Sequence, residues 1–317
     1  MVYRDQAIFQ PTIEAAAERL GITAIAVEKD YWVTQALRVL ADEFPNDFVF
    51  KGGTSLSKGY GLIERFSEDI DLLIIAGSRG RGAVDRLMKD MGAAVARTMG
   101  ATPQSEHAER GIHRTYRITH STGRPQTTAI EPSVLLEMGV RGGAQPSRRV
   151  EIRTLLGDVI HDAGTDVSGF VDLERFAVSV LHPGRTLLEK LYAIHAEAIR
   201  LAADANAAAT RRIGRHFYDV SRLLTNDEVI SFLADDTTVP TVLEEIEQVS
   251  RDHFTATTSG ELRPEGGFRH SPAFDLSSDV ADRLRVAYES DMADLYYGEA
   301  PPPTWEEICR QVTSSPV

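Results

Sequence analysis

The chain has 317 residues, with 34 Lys+Arg against 47 Asp+Glu, which gives a formal net charge of −13 at pH 7. Hydrophobic residues make up 42% and charged residues 26%, a globular composition that excludes dominant disorder, and the single cysteine excludes a disulfide scaffold. No apolar run approaches the ~18–20 residues of a membrane helix and the N-terminus lacks a signal-peptide pattern, so we expect a protein of the cytosol.

The first half of the chain alternates predicted helices and strands. Apolar residues at helical spacing predict two helices over residues 12–43, the first ending at Gly21 and the second capped by Thr23. A buried strand at 48–50 leads into a turn at 51–55, and a helix follows the turn. The remaining predicted elements of this half are strands at 70–75, 113–119, 133–140 and 150–155, a helix at 83–99 and a loop at 141–147.

Beyond about residue 180 the pattern changes, because glycines become rarer and long helical periodicity dominates. The predicted helices are 184–209, 211–224, 227–234, 239–250 and 279–296, with a long loop over 255–271. We therefore expect an α/β domain followed by a helical domain, joined near residues 160–180.

Two motifs lie close together in the first half. Gly52 and Gly53 directly follow a predicted strand, and paired glycines allow backbone amides to face a bound phosphate. Asp69 and Asp71 begin the next strand, where alternation places both carboxylates on one face. Neighbouring carboxylates repel each other, and their oxygens suit Mg²⁺ or Mn²⁺. Each motif alone is weakly specific, since Gly-Gly-Thr is most often only a turn.

The order of strand, Gly-Gly-Thr turn, helix and Asp-x-Asp strand resembles that of the DNA polymerase beta-like nucleotidyltransferases. Within that superfamily, residues 49–58 and 65–72 look like the AbiEii/AbiGii-type nucleotidyltransferase toxin family, of which the MenT-like toxins are relatives. Further motifs agree with that family in order along the chain. They are the segments 28–32, 187–193, 215–220 and 288–292.

The resemblance implies an α+β fold, with a nucleotidyltransferase-like mixed sheet flanked by helices and followed by a C-terminal helical domain. Residues 1–165 would form the nucleotidyltransferase domain, and residues 166–317 the helical domain that completes the active-site cleft. It also implies a toxin of a toxin–antitoxin or abortive-infection (phage defence) system, with a cognate antitoxin as partner.

The activity implied is transfer of a nucleoside monophosphate from a nucleoside triphosphate (NTP) to an acceptor hydroxyl, with Mg²⁺ or Mn²⁺ as cofactor. Relatives point to the 3′ end of tRNA as acceptor. The expected nucleotide site is Gly52, Gly53, Thr54 and Ser55. Ser55 and Ser57 could bind phosphate oxygens, although either could equally cap the helix. Asp69 and Asp71 are the expected metal ligands.

Lys190 borders the buried stripe of a predicted helix, three residues after Leu187 and four before Ile194. From the residues alone, its ammonium could extend to solvent, pair with a carboxylate or face a cleft. The family motif assigns it to the triphosphate, as a positive point charge.

Asp219 flanks the stripe of the next helix. Its simplest role is an i,i+4 pair with Arg215, worth only ~0.2–0.5 kcal/mol. The resemblance instead makes it an active-site residue, which either orients Lys190 or holds the base or ribose. Both roles stay open at this point.

A third acidic residue is usual in the superfamily, as general base or as support for a second metal. Glu137, on the predicted strand 133–140, is our candidate, and Glu151 is the alternative. Many relatives have Asp at this place, so Glu137 is a mild departure. Either residue could also be a surface charge on an edge strand.

Two basic clusters flank the predicted cleft and could guide an RNA backbone. They are Arg148 and Arg149 with Arg153, and Arg211 and Arg212 with Arg215 and His216. Surface arginines often have no such role, and the net charge of −13 conflicts with tRNA binding unless these clusters converge.

Two other functions remain possible from the sequence. The same chemistry could nucleotidylate a protein or a small molecule, or the chain could be a GTP- or NTP-binding module without turnover. Intact Asp69, Asp71 and Lys190 argue against a dead site. No segment indicates which nucleotide is used.

Overall fold

A computed structural model describes residues 1–67, 69–122, 131–253 and 262–317. The chain divides into two compact units. The first consists of Met1–Gly59, Glu68–Val140 and Ser147–Val180, and contains the sheet. The second consists of Tyr60–Ser67, Arg141–Pro146 and Leu181–Val317. We call them the sheet unit and the helical unit.

The sheet unit is built on a seven-stranded mixed sheet. Its strands are β1 (Phe48–Lys51), β2 (Asp69–Ile74), β3 (Gln104–Glu109), β4 (His113–Thr119), β5 (Ser133–Gly139), β6 (Ser147–Ile152) and β7 (Phe176–Leu181). Their order across the sheet is β3-β4-β5-β2-β1-β7-β6. The central pair, β1 and β2, is antiparallel, while β5 and β7 run parallel to their central neighbours. This architecture confirms the expected α+β class with a mixed sheet.

Helices cover the sheet with apolar side chains. The helices of this unit are α1 (Phe9–Leu20), α2 (Ala24–Glu43), α3 (Gly52–Lys58), α4 (Arg81–Met99) and α5 (Leu155–Asp162). Helix α1 ends at Gly21, which adopts the left-handed conformation favoured by glycine. The long helix α2 begins after Thr23, whose side chain accepts a hydrogen bond from the backbone N–H of Ala26 at 3.3 Å.

Several elements of this unit were not predicted from the sequence. Strand β3 is exposed along its whole length and polar in sequence, so no hydrophobic alternation marks it. Strand β7 pairs with β1 in parallel, through Phe50 and Val180, and it therefore belongs to the sheet unit. The units consequently divide after Val180 rather than at the boundary between residues 165 and 166. Helix α5 was also missed, and β6 begins three residues earlier than predicted.

The helical unit is held together by the stripes that the sequence periodicity indicates. Its helices are α6 (Pro183–Ala203), α7 (Gly214–Leu224), α8 (Asp227–Leu233), α9 (Thr238–His253), α10 (Asp279–Leu295) and α11 (Trp305–Ser314), of which the last was not predicted. In α6, the five stripe positions are all 0% exposed; they are Leu187, Leu191, Ile194, Ala198 and Leu201. Helix α7 begins at Gly214, where a Cβ would lie 2.4 Å from the carbonyl oxygen of Ala287 on α10, so glycine permits this close packing.

Part of the predicted loop 255–271 lies outside the described residues, and the rest includes the short 3₁₀ turn Phe268–His270. Helix α6 ends at Ala203 and α7 begins at Gly214, so the loop between them is longer than predicted. In the described ranges, no helix has the length and the apolar composition that a membrane span requires.

Candidate active site

The predicted turn at 51–55 is the start of helix α3, whose first turn holds both glycines, and it lies directly against Asp71 of the Asp-x-Asp motif. Gly52 follows β1 with φ +78°, a backbone conformation that L side chains rarely adopt. A Cβ on Gly52 would lie 2.0 Å from Oδ2 of Asp71, which is far inside van der Waals contact. Glycine is therefore required here both by its conformation and by the space that the Asp71 carboxylate occupies.

The two hydroxyl side chains of the turn hold it in place. Thr54 is 1% exposed, and its Oγ1 donates to the backbone carbonyl of Asp69 at 2.6 Å. Ser55 is 0% exposed, and its Oγ donates to the carbonyl of Gly52 at 2.8 Å. Both hydroxyl protons are thus used inside the protein. In this arrangement neither proton is available to a phosphate oxygen.

Strand register brings three carboxylates to one face of the sheet. Asp69 and Asp71 are two residues apart on β2 and share a face, while Ile70 and Leu72 point to the buried side. Glu137 is the cross-strand partner of Asp71 on β5. Asp69 is 9% exposed, and the other two carboxylates are half-buried. The three carboxylates therefore lie on neighbouring strands beside the Gly52 turn.

Glu151, the alternative third acid, lies far from this face. It is exposed on β6, an edge strand separated from β2 by β1 and β7. This position favours Glu137.

The donor set fits a hard divalent cation. Within the described ranges, no group of three or more His, Cys, Asp or Glu side chains is arranged to hold a metal ion. Mg²⁺ does not need such a cage, because it is usually held by one or two carboxylates together with substrate phosphates and water. Asp69 and Asp71 supply the two carboxylates, and Gly52 leaves room for one of them against the turn.

The helical unit contains a buried ion network centred on Asp219. This carboxylate is 0% exposed. Arg65 binds it in a bidentate manner, with Nε to Oδ1 and Nη2 to Oδ2, both at 2.6 Å. Nζ of Lys190 lies 2.8 Å from Oδ2, and Nδ1 of His216 lies 3.2 Å from the same Nζ. Lys190 therefore pairs with a carboxylate rather than extending to solvent.

This network bears on the two roles considered for Asp219. The carboxylate is fully buried and bound by two cations, a geometry that favours orienting Lys190 over contact with a base or ribose.

Burial and charge shift the pKa values of all four groups. Burial would raise the pKa of Asp219, but the charges of Arg65 and Lys190 outweigh it and hold that pKa well below its usual range. Burial would lower the pKa of Arg65, yet Asp219 raises it overall. Burial lowers the pKa of Lys190 against the opposing pull of Asp219. Burial and the Lys190 charge lower the pKa of His216, so the imidazole is neutral at pH 7.

The basic residues occupy two separate places. Arg148 and Arg149 are exposed on β6, where Nη2 of Arg149 donates to the carbonyl of Ala177 at 2.9 Å. In the helical unit, Arg211, Arg212 and Arg215 lie at the start of α7, with Arg211 exposed and the other two half-buried. Arg212 has φ +65°, which is uncommon outside glycine.

Three residues near these sites were not identified as site residues from the sequence. The side chain of Lys58 is 7% exposed and pairs with Asp30. Asp30 also accepts a hydrogen bond from the backbone N–H of Leu155 at 2.8 Å. His216 was considered only as part of a basic cluster. Its spacing of three from Asp219 on one helix was the available signal.

The glycine turn followed by paired carboxylates on the next strand is the arrangement that the sequence resemblance to nucleotidyltransferases leads us to expect. A family model described as "Nucleotidyl transferase AbiEii toxin, Type IV TA system" matches residues 36–311, and the chain belongs to this family. Its members are nucleotidyltransferases and toxins of toxin–antitoxin systems, which confirms the resemblance found in the sequence.

Among solved structures, the chain is similar to MenT4, the nucleotidyltransferase toxin Rv2826c from Mycobacterium tuberculosis H37Rv. The two sequences are 19% identical, the match covers 88% of this chain and 98% of that one, and the TM-score is 0.40. Comparison with curated proteins gave no match.

Proposed function

We propose that this chain transfers a nucleoside monophosphate from an NTP to an acceptor hydroxyl, in a reaction that depends on Mg²⁺ or Mn²⁺. The observation that carries the proposal is the position of Asp69 and Asp71 on one strand face, with Asp71 seated against Gly52 of the turn. The turn and the carboxylates together offer backbone N–H groups for phosphate and oxygens for a cation.

The proposed reaction is an in-line displacement at the α-phosphorus. The acceptor oxygen forms a bond to phosphorus, the bond to the bridging oxygen breaks, and pyrophosphate leaves. Glu137, across from Asp71, takes the proton of the attacking hydroxyl. The backbone at Gly52 and Gly53 holds the phosphates in position, which is the main contribution a protein makes to this chemistry.

Asp69 and Asp71 would hold the divalent cation, which when bound neutralises phosphate charge and stabilises the entering and departing oxygens. Lys190 supplies a further positive charge for the triphosphate. That assignment rests on the family motif and on the presence of an ammonium held by Asp219.

The acceptor that we propose is the 3′ end of tRNA. The toxin family and the exposed or half-buried arginines at the start of α7 support it. The net charge of −13 means that binding must depend on such local clusters rather than on the whole surface. We expect a cognate antitoxin as partner, because the family is one of toxin–antitoxin systems.

A labelling assay tests the proposal. Purified protein is incubated with each α-³²P-labelled NTP, Mg²⁺ and total tRNA, beside Asp71→Asn and Lys190→Met variants. We expect label on RNA from one nucleotide, lost in Asp71→Asn and on addition of EDTA. Asp162→Asn is the matched control, because Asp162 is exposed on α5 of the same unit.

Other outcomes would select the alternative functions. Label on a protein or a small molecule, independent of RNA, would replace tRNA as acceptor and keep the chemistry. Nucleotide binding without transfer to any acceptor would contradict the proposed reaction and favour a binding module.

A further inference from the structure

The ion network of the helical unit carries more positive than negative charge. Arg65 and Lys190 are both cationic and share one carboxylate, Asp219, while His216 is neutral. Two further charged groups act on the network, Arg215 on Lys190 and Asp291 on Arg65. An excess cation in a dry site is costly, so it must be held by more than a single salt bridge.

We propose that Arg65 and His216 are positioning residues for Lys190, with Arg65 fixing the Asp219 carboxylate and His216 accepting from the Lys190 ammonium. The inference deepens the proposed function and rests on it, since it assigns the residues that set the place and orientation of the cation for the triphosphate.

Arg65 is suited to fixing Asp219 because its planar guanidinium group can bind both carboxylate oxygens at once. Nε and Nη2 hold the two carboxylate oxygens, and Nη1 donates to the carbonyl of Phe66 at 3.2 Å. The segment itself is anchored, since the backbone N–H of Phe66 donates to the carbonyl of Leu295 at 2.8 Å. Arg65 also forms a β-bridge with Tyr296. The carboxylate that Lys190 meets is therefore rigid.

His216 determines where the remaining donors of Lys190 point. The ammonium has three N–H groups, of which Asp219 takes one and Nδ1 of His216 takes another. Nδ1 must be unprotonated to accept, so the ring carries its proton on Nε2. In the described part of the chain, the third N–H has no hydrogen-bond partner. Two fixed acceptors thus define the direction of the third donor, which is the one available to an anionic oxygen.

An NMR titration tests this without relying on catalysis. The sequence contains five lysines, so protein labelled with ¹³Cε-lysine gives five signals, and Lys190→Arg assigns the one of interest. In His216→Leu we expect the titration midpoint of Lys190 to fall by about one pH unit, because an acceptor of the charged form is lost. In His216→Asn, whose side-chain oxygen can replace Nδ1, we expect the midpoint to return towards the wild-type value.

Nucleotidyl transfer supplies the second readout. We expect kcat to fall about 10- to 100-fold in His216→Leu and to be restored in large part by His216→Asn. Arg65→Lys keeps the charge and loses the bidentate geometry, so we expect a comparable fall in kcat and a displaced Lys190 signal. His270→Leu, at an exposed histidine of the same unit, is the matched control and should leave both readouts unchanged.

The two proposals fail in different ways. An unchanged Lys190 midpoint in folded His216→Leu, or equal damage by Leu and Asn at position 216, would overturn the positioning role. If wild-type protein transferred no nucleotide while Lys190 still responded to His216→Leu, the network would stand and the proposed function would fail.

Discussion

The two units present acidic residues in opposite ways. In the sheet unit, Asp71 and Glu137 face each other across neighbouring strands, half-buried and on one face. In the helical unit, Asp219 is 0% exposed and forms ion pairs with Arg65 and Lys190. The first arrangement concentrates negative charge, as the proposed cation site requires. In the second arrangement the negative charge is neutralised inside the protein, where it holds the ammonium group of Lys190.

This difference predicts that mutations will separate activity from stability. Removing a carboxylate that repels its neighbours should change the free energy of unfolding little and lower the reaction rate strongly. Removing the carboxylate of a buried network should damage the fold first, because two cations lose their partner.

The largest effect should follow Asp219→Asn. Arg65 and Lys190 would keep their charges in a buried site without an anion, so we expect the free energy of unfolding to fall by about 3–5 kcal/mol. Urea denaturation measures it, with Asp294→Asn as control because Asp294 is exposed on α10 of the same unit. A loss below about 1 kcal/mol would show that the network contributes no more than a surface pair.

Asp71→Asn should act on the reaction alone. We expect the rate of transfer to fall about 10³-fold, as when a preorganised electrostatic group is removed from an active site. The free energy of unfolding should be unchanged or slightly increased, since repulsion near Glu137 is relieved. Initial rates and urea denaturation on the same samples distinguish this from unfolding, and a parallel loss of both would remove the contrast between the units.

Gly52→Ala tests whether the position of the Asp71 carboxylate depends on the space that Gly52 leaves. The added methyl group would meet Oδ2 of Asp71, and we expect a loss of activity of about 10²-fold from the displaced carboxylate. Gly77→Ala is the matched control, because Gly77 also has positive φ (+56°) but a Cβ there would have nothing within 4 Å. Equal loss of activity in both variants would mean that backbone strain, rather than displacement of the Asp71 carboxylate, explains the effect.

The pH dependence of stability involves one histidine in each unit. Burial lowers the pKa of His120 to about 4, and burial with the Lys190 charge lowers that of His216. Below pH ~6.5 these histidines bind protons in the unfolded chain but stay neutral in the folded protein. The free energy of unfolding therefore falls as the pH drops from 6.5 towards 4. Each histidine should contribute up to about 1.4 kcal/mol per pH unit.

Urea denaturation between pH 7.5 and pH 4.5 measures this slope. We expect His120→Leu and His216→Leu each to flatten it, while His161→Leu, at an exposed histidine, should not. A slope that is the same in all three variants would contradict the assignment.

The sheet-unit site was accessible from sequence because period and register determine it. Alternation alone places Asp69 and Asp71 on one face, and a strand at 133–140 is enough to make Glu137 a candidate. Its pairing with Asp71 required the strand order, which depends on which strands lie next to each other and not on local pattern.

The helical-unit network could not be derived in the same way. Arg65 and Asp219 are 154 residues apart, and no periodicity relates them. Local helical spacing placed Lys190 and Asp219 beside their stripes, but left open whether each faced solvent, a cleft or the other. Strand β3 escaped prediction for a similar reason, since a fully exposed polar edge strand carries no hydrophobic signal.

The segment Tyr60–Ser67 belongs to the helical unit although the chain on both sides of it belongs to the sheet unit. It supplies Arg65, which binds the carboxylate of Asp219, 154 residues further along the chain. No single cut of the chain therefore yields two intact halves. A fragment that begins at residue 181 would lack the guanidinium that neutralises Asp219. Fragment complementation, or exchange of the C-terminal half between relatives, would have to include residues 60–67, because the helical unit is not continuous in the sequence.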